Sequence, residues 1–284
     1  MLGRAERSAR QPSSRAARGV STLARIRIQG LDIDYRRPDG STVAAVAGFS
    51  LDVPAGEFLT LIGPSGCGKT SILRATGGLI RPARGSVQVR ETVVSGPLPD
   101  HVAYVFQDFA LFPWRTAAAN VEVALELKGV GRAERRDRVR RELARVGLED
   151  AAERYPHELS GGMQQRVALA RALVSDCDVL LLDEPFGALD EQTRLVLGTE
   201  LLRILEASGK TIVFVTHSLQ EAVYLSDRVV AVTARPGRIK EILEIPLARP
   251  RTPEVMVSDE FTALQSRLLT LLYEESSLAL EAGR

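Results

Sequence analysis

Gly63, Pro64, Ser65, Gly66, Cys67, Gly68, Lys69 and Thr70 run consecutively and fit the spacing Gly, four residues, Gly, Lys, then Thr or Ser. Residues 57–62 ahead of them read as a short apolar strand, and residues 71–75, beginning at Ser71, have the composition of a helix opening. A glycine-rich turn in that setting lets successive backbone N–H groups point inward as a nest at a helix N-terminus, where the helix dipole favours an anion. In such a nest Lys69 reaches the β- and γ-phosphates of a nucleotide and the Thr70 hydroxyl ligates Mg2+. Glycine turns that bind nothing are common, but few carry Lys-Thr in this register.

The 284 residues, 45% of them apolar, suffice for one large domain or two smaller ones with a sizeable core. A formal net charge of +1 exerts no general pull toward nucleic acid or anionic lipid. The cysteines, Cys67 and Cys177, form neither a disulfide framework nor a metal-ligand spacing, which fits a reducing cytosol. No apolar run approaches the roughly 18 residues that cross a bilayer. Residues 1–25 are rich in Arg, Ser and Ala, with Glu6 as the one acid and no continuous apolar stretch. They read as a disordered basic extension rather than a secretory signal; a transit peptide, a membrane or RNA tether and an early start codon are the other readings.

Residues 25–29 alternate as a half-exposed strand and residues 43–53 form another strand region, which suggests an antiparallel β-layer beside the loop. Tyr35 falls between them, either to stack on an adenine ring or to serve as a strand aromatic. Strands follow at 85–89 and 102–106, the second running directly into Gln107. Phe109, Leu111, Phe112, Pro113 and Trp114 then make an aromatic, proline-broken loop, which is either a partner surface or a satellite core. Helices are expected over 120–128 and 133–146. Acids interspersed among Arg135, Arg136, Arg138, Arg140 and Arg141 mark the latter as a solvated face rather than a nucleic-acid site.

Ser160, Gly161 and Gly162 stand before a helix expected over 164–173, and N–H groups at its positive end make a second anion site, a weak signal when taken alone. After Asp178, residues 179–182 are an apolar, strand-length run ending in Asp183 and Glu184, as in a central parallel strand buried on both faces. Ligands of α/β folds sit at the C-terminal ends of such strands. That position lets Asp183 hold Mg2+ and Glu184 polarise an attacking water. Gly187 to Asp190 lead into a helix ending near residue 208, and residues 211–216 form another buried strand with His217 at its end, suited to touch a γ-phosphate. A strand over 228–234, a basic turn of Arg235, Pro236, Gly237 and Arg238, and an amphipathic helix over 261–273 close the chain.

In this order the segments resemble the nucleotide-binding subunit of ABC transporters, over nearly the whole chain from Ile26 onward. Residues 63–70 are similar to its Walker A loop, Gln107 to its Q-loop, residues 159–163 with Gln164 and Gln165 to its signature, and residues 180–184 to its Walker B. Ala188, Leu189 and Asp190 are similar to its D-loop, His217 to its switch histidine and Tyr35 to its adenine-stacking aromatic. Thr70-Ser71 where Ser-Thr is commoner, and Met163 where Gln is common, remove no chemical group. The resemblance implies an α/β P-loop NTPase with a RecA-like parallel-sheet core, an antiparallel β-subdomain and a helical signature subdomain over about 108–175. The ATPase domain would span 26–250 and a helical tail 251–284. It also implies ATP and Mg2+, a Mg2+ site at Thr70, Gln107 and Asp183, Glu184 as general base and a head-to-tail homodimer. In that dimer Ser160, Gly161 and Gly162 touch the ATP of the opposite subunit.

The stretch 111–115, the stretch 234–239 and the short tail resemble the importers for nitrate, taurine and alkanesulfonates. This implies a membrane permease, a periplasmic or lipoprotein solute-binding protein and a place on the cytoplasmic face of the inner membrane. A soluble ABC ATPase of DNA repair or translation usually carries a coiled-coil insertion or two cassettes in one chain, and a phosphate-loop kinase needs an acceptor site and lid in place of Leu-Ser-Gly-Gly.

Overall fold

The computed structural model describes residues 24–282. The expected basic extension therefore lies outside the described residues, except that residues 24 and 25 already belong to the first strand.

Three five-residue strands, β3 (Phe58–Ile62), β7 (Val179–Asp183) and β8 (Thr211–Val215), are buried at every position. Total burial is what continuous apolar runs allow and what a parallel sheet covered on both faces requires. With β6 (Val102–Val105), β9 (Arg228–Val232) and β10 (Ile239–Glu244) they form one sheet in the order β10-β9-β3-β8-β7-β6. Its pairings are parallel except that of β10 with β9. The period-2 alternation divides each central strand between two cores. Phe58, Leu180, Leu182 and Phe214 face one, in which the Phe214 ring lies 5.6 Å from those of both Phe58 and Phe186. Leu59, Leu61, Leu181 and Val213 face the other.

That second core is closed by an antiparallel sheet, in the order β2-β1-β4-β5, of β1 (Ala24–Arg36), β2 (Thr42–Pro54), β4 (Arg84–Val89) and β5 (Thr92–Val93). Between the two sheets runs α1 (Lys69–Thr76), with Ile72, Leu73 and Ala75 in the core. The first core is covered by α2 (Ala117–Leu127), α3 (Arg132–Arg145) and α4 (Gly161–Leu173), together with α5 (Glu191–Ser208), α6 (Leu219–Leu225) and α7 (Asp259–Ala282).

Several elements depart from the sequence reading. Strand β1 runs to Arg36, so Tyr35 lies within it, opposite Val43, rather than between two strands. The alternation that defines a strand breaks at Gly30, whose φ of 55° sits in a bulge where the pairing shifts between Ile28 and Leu31. Helix α6, seven residues long, is too short to show a periodicity. In β10 the half-exposed sequence Ile-Lys-Glu-Ile-Leu-Glu has no strand alternation, and its charges occupy a sheet edge, where they discourage pairing with another chain. Helix α7 continues well past residue 273.

Candidate active site

Strand β3 ends at Ile62 and the chain turns at once into the loop that opens α1. Two positions show why glycine is needed there. Gly68 has a φ of 99°, and a Cβ on it would lie 2.6 Å from Val46 Cγ2 and 2.9 Å from the Ala45 carbonyl. A Cβ on Gly63 would lie 2.7 Å from the Val232 carbonyl. The loop is thus pressed between β2 and the end of β9. Lys69, 5% exposed, folds back over the loop with Nζ donating to the carbonyls of Gly63 at 2.8 Å and Pro64 at 3.0 Å. Cys67 points inward, and burial pushes its thiol up from its ordinary value despite Lys69 Nζ 3.7 Å from its sulfur. Such a thiol stays protonated and inert.

Ser65, Gly66, Gly68, Lys69, Thr70 and Ser71 border a cavity of about 280 Å3 that Tyr35, Gln107, Glu184 and His217 also line. Ten of the residues expected around a nucleotide therefore meet in one concavity. Tyr35, 43% exposed, is tied to the start of α1 by a 3.0 Å hydrogen bond between its hydroxyl and that of Ser71. Gly63, Pro64 and Cys67 shape the loop from beneath and do not line the cavity.

The far wall comes from Glu184 and His217, just past the ends of β7 and β8, whereas Asp183 does not line the cavity. Asp183 is 1% exposed; Thr70 Oγ1 donates to its Oδ1 at 3.0 Å and Tyr104 Oη to its Oδ2 at 3.1 Å. Burial raises the Asp183 carboxyl above its ordinary value, although both hydrogen bonds oppose this. Two oxygen donors, one hydroxyl and one carboxylate, held together beside a phosphate nest form a hard set that fits Mg2+.

Glu184, the next residue, sits at φ 49°, an uncommon conformation for a residue with a side chain. It is held there by three bonds: its N–H donates to Val215 O on β8 at 3.0 Å, and its carbonyl accepts from Gly187 N at 3.1 Å and from Gln165 Nε2 at 3.0 Å. Strain pinned from several sides is characteristic of functional positions. Here it turns the carboxylate toward the cavity, where Oε1 lies 2.6 Å from His217 Nε2 and Oε2 lies 3.5 Å from Gln107 Nε2.

Ser160, Gly161, Gly162 and Asp190 are not brought to this cavity. Ser160 caps α4 by accepting from Met163 N at 3.3 Å, and Gly161 and Gly162 lie against Ala188 and Leu189. Asp190 caps α5, accepting from Thr193 N at 2.9 Å and Thr193 Oγ1 at 2.6 Å, bonds that hold its carboxyl below its ordinary value. Sequence reasoning gave no role to Tyr104, nor a structural one to Gln165, which also accepts from Ala188 N at 3.0 Å through Oε1. Gln165 thereby fastens α4 to both the backbone of Glu184 and the turn before α5. Neither pairing has a local signal, since each joins residues 19 or more positions apart. The aromatic loop divides: Phe109 and Leu111 pack on the core, whereas Trp114 is 72% exposed.

The sequence profile of the family described as ABC transporter matches residues 46–187. An uncharacterized ABC transporter ATP-binding protein of Methanocaldococcus jannaschii is 50% identical over 237 residues, 84% of this chain and 87% of its own length. The nitrate import ATP-binding protein NrtC of Synechococcus elongatus is 43% identical over 84% of this chain, though only 37% of its own length is matched. The taurine import ATP-binding protein TauB of Pelagibacter ubique is 38% identical over 86% of this chain and 94% of its own. Among solved structures, a dimeric ATP-binding cassette in a post-hydrolysis state, bound to ADP and Pi, superposes with a TM-score of 0.73 at 31% identity, covering 78% of this chain and 98% of that one.

Proposed function

Because this chain belongs to the ABC transporter family and is an ATPase of that family, we propose that it powers an importer for a small anion such as taurine, an alkanesulfonate or nitrate. It works at the cytoplasmic face of the inner membrane with a separate permease and a solute-binding protein. The observation that carries the reading is the 2.6 Å pair of Glu184 and His217 facing Lys69 and Thr70 across one cavity, with Asp183 bonded to Thr70 at 3.0 Å.

ATP seats its phosphates in the loop amides of residues 65–70, Lys69 meets the β- and γ-phosphates, and Tyr35 stacks on the adenine. Thr70, Asp183 and Gln107 hold Mg2+, which supplies charge neutralisation of the phosphates. Glu184 accepts a proton from the attacking water, while His217 orients that carboxylate and touches the γ-phosphate. Ser160, Gly161 and Gly162 do not line this cavity, and in a head-to-tail homodimer they cap the γ-phosphate bound by the other subunit. Trp114, exposed in the loop that follows Gln107, contacts the permease. The anion class is supported by the relatives named for nitrate and taurine import.

The test is growth of a deletion strain with taurine, an alkanesulfonate or sulfate as sole sulfur source, and with nitrate or ammonium as sole nitrogen source. A defect on one anion, rescued by wild type and not by Glu184→Gln, names the solute. Normal growth throughout would withdraw the anion class.

A further inference from the structure

The basic turn after β9 is built more firmly than a surface loop needs to be. Thr233 N donates to Arg238 O at 2.9 Å and Arg238 N to Thr233 Oγ1 at 3.0 Å, closing the turn on itself. Gly237 N donates to Ala45 O at 2.8 Å and Ala47 N to Gly237 O at 3.1 Å, joining it to β2. From the other side the buried Glu275 of α7 accepts from Ala234 N at 2.8 Å. Gly237 packs so tightly under the phosphate loop that a Cβ on it would lie 2.1 Å from the Cys67 carbonyl.

This rigid turn presents one exposed side chain to the cavity. Arg235 lines it, with Nε 3.3 Å and Nη2 3.2 Å from the Gly66 carbonyl. It forms no ion pair with a carboxylate among the described residues, unlike the exposed Arg27, Arg145 and Arg267. A guanidinium carries five N–H donors in a fixed fork, and the Gly66 carbonyl engages only two of its nitrogens. We propose that Arg235 is a second cation of the phosphate site, reaching across the lip of the loop to the phosphate chain of the bound nucleotide while holding Gly66 in place. Lys69 then serves the nest from within and Arg235 from its rim, so the polyanion meets charge on two sides. The inference rests on the ATPase reading of the same cavity.

Equilibrium binding of ATP to the full-length wild type and to Arg235→Ala, Arg235→Gln and Arg235→Lys tests it, with nucleotide-free melting temperatures as the control for folding. Loss of one charge-assisted hydrogen bond predicts affinity lowered about tenfold in Arg235→Ala. Arg235→Gln, which can still donate to Gly66 but has no charge, is expected to bind as poorly, while Arg235→Lys recovers most of the affinity. Wild-type affinity in Arg235→Gln would reduce Arg235 to a prop for Gly66 and overturn the proposal. Unchanged affinity in all three variants would overturn it as well, including the case in which Arg235 serves only contact with a second copy. Failure of the wild type itself to bind ATP would overturn the functional reading and this inference together.

Discussion

His217 Nε2 lies 2.6 Å from Glu184 Oε1, although the two residues are 33 positions apart, because Glu184 directly follows β7 and His217 stands two residues past the end of the adjacent parallel strand β8. The register pairs Asp183 with Val215, which leaves Glu184 and the Thr216-His217 step to leave the sheet side by side. The Glu184 carboxylate thereby meets the His217 ring and faces the same cavity as Lys69.

If Glu184 takes the proton from water, Glu184→Gln keeps the shape and the His217 contact but not the base. The variant is expected to bind ATP as wild type does and to lose about 100- to 10000-fold in turnover, the usual worth of a positioned base. Lys69→Ala is expected to fail at binding instead. Steady-state hydrolysis together with equilibrium ATP binding separates the two.

Gly68→Ala introduces a methyl group where Val46 Cγ2 and the Ala45 carbonyl already stand within 2.9 Å, at a φ of 99°. The strain is expected to cost about 1 to 3 kcal/mol. Relief by moving the loop would also spoil the amide nest. Chemical denaturation should therefore show lower stability, and binding should show weakened ATP affinity.

Asp183 ionises in the folded protein at a higher pH than its ordinary value, chiefly through burial. Its favourable protonated form is present below the ordinary value of the unfolded chain, and that stabilisation is lost as pH rises through the folded value. Asp183→Asn, neutral throughout, is expected to melt above wild type at about pH 7 without metal or nucleotide, with the gap closing toward about pH 4. A gap that widens as pH falls would contradict the assignment. Mg2+-dependent ATP binding should weaken in the same variant.

Glu57 is 3% exposed and receives two bonds from Arg228, Nε to Oε1 at 2.6 Å and Nη2 to Oε2 at 2.8 Å, tying the start of β3 to β9. Removing one partner of a buried pair leaves the other charge uncompensated. Glu57→Ala is expected to lose about 3 kcal/mol in urea denaturation, with the affinity of the remaining folded protein for ATP unchanged.

Much of this was legible because the chemistry and the fold share the same short segments. Residues 178–184 announce both a doubly buried strand and two carboxylates at its end, and residues 57–70 announce a strand, a nest and a helix. What stayed hidden depends on contacts between distant segments. Tyr104 reaches Asp183 from the neighbouring strand, Gln165 reaches Glu184 from α4, and the turn at Arg235 comes to Gly66 from 169 residues away. The bulge at Gly30 hid the full length of β1 for a local reason, because an extra residue reverses which side chains face inward. The loop at 109–114 offered two readings; Phe109 and Leu111 pack inward on the core, while Trp114 stays exposed.

In the proposed head-to-tail dimer, the site lined by Lys69 and Glu184 in one copy is completed by Ser160, Gly161 and Gly162 of a second. Sedimentation velocity of Glu184→Gln with and without ATP and Mg2+ tests it most directly, alongside the same protein carrying Ser160→Arg. The proposed dimer predicts a monomer without ATP, a dimer with it, and a monomer that still binds ATP once Ser160→Arg is added. A Glu184→Gln protein that binds ATP yet remains monomeric, or a dimer indifferent to Ser160→Arg, would contradict it.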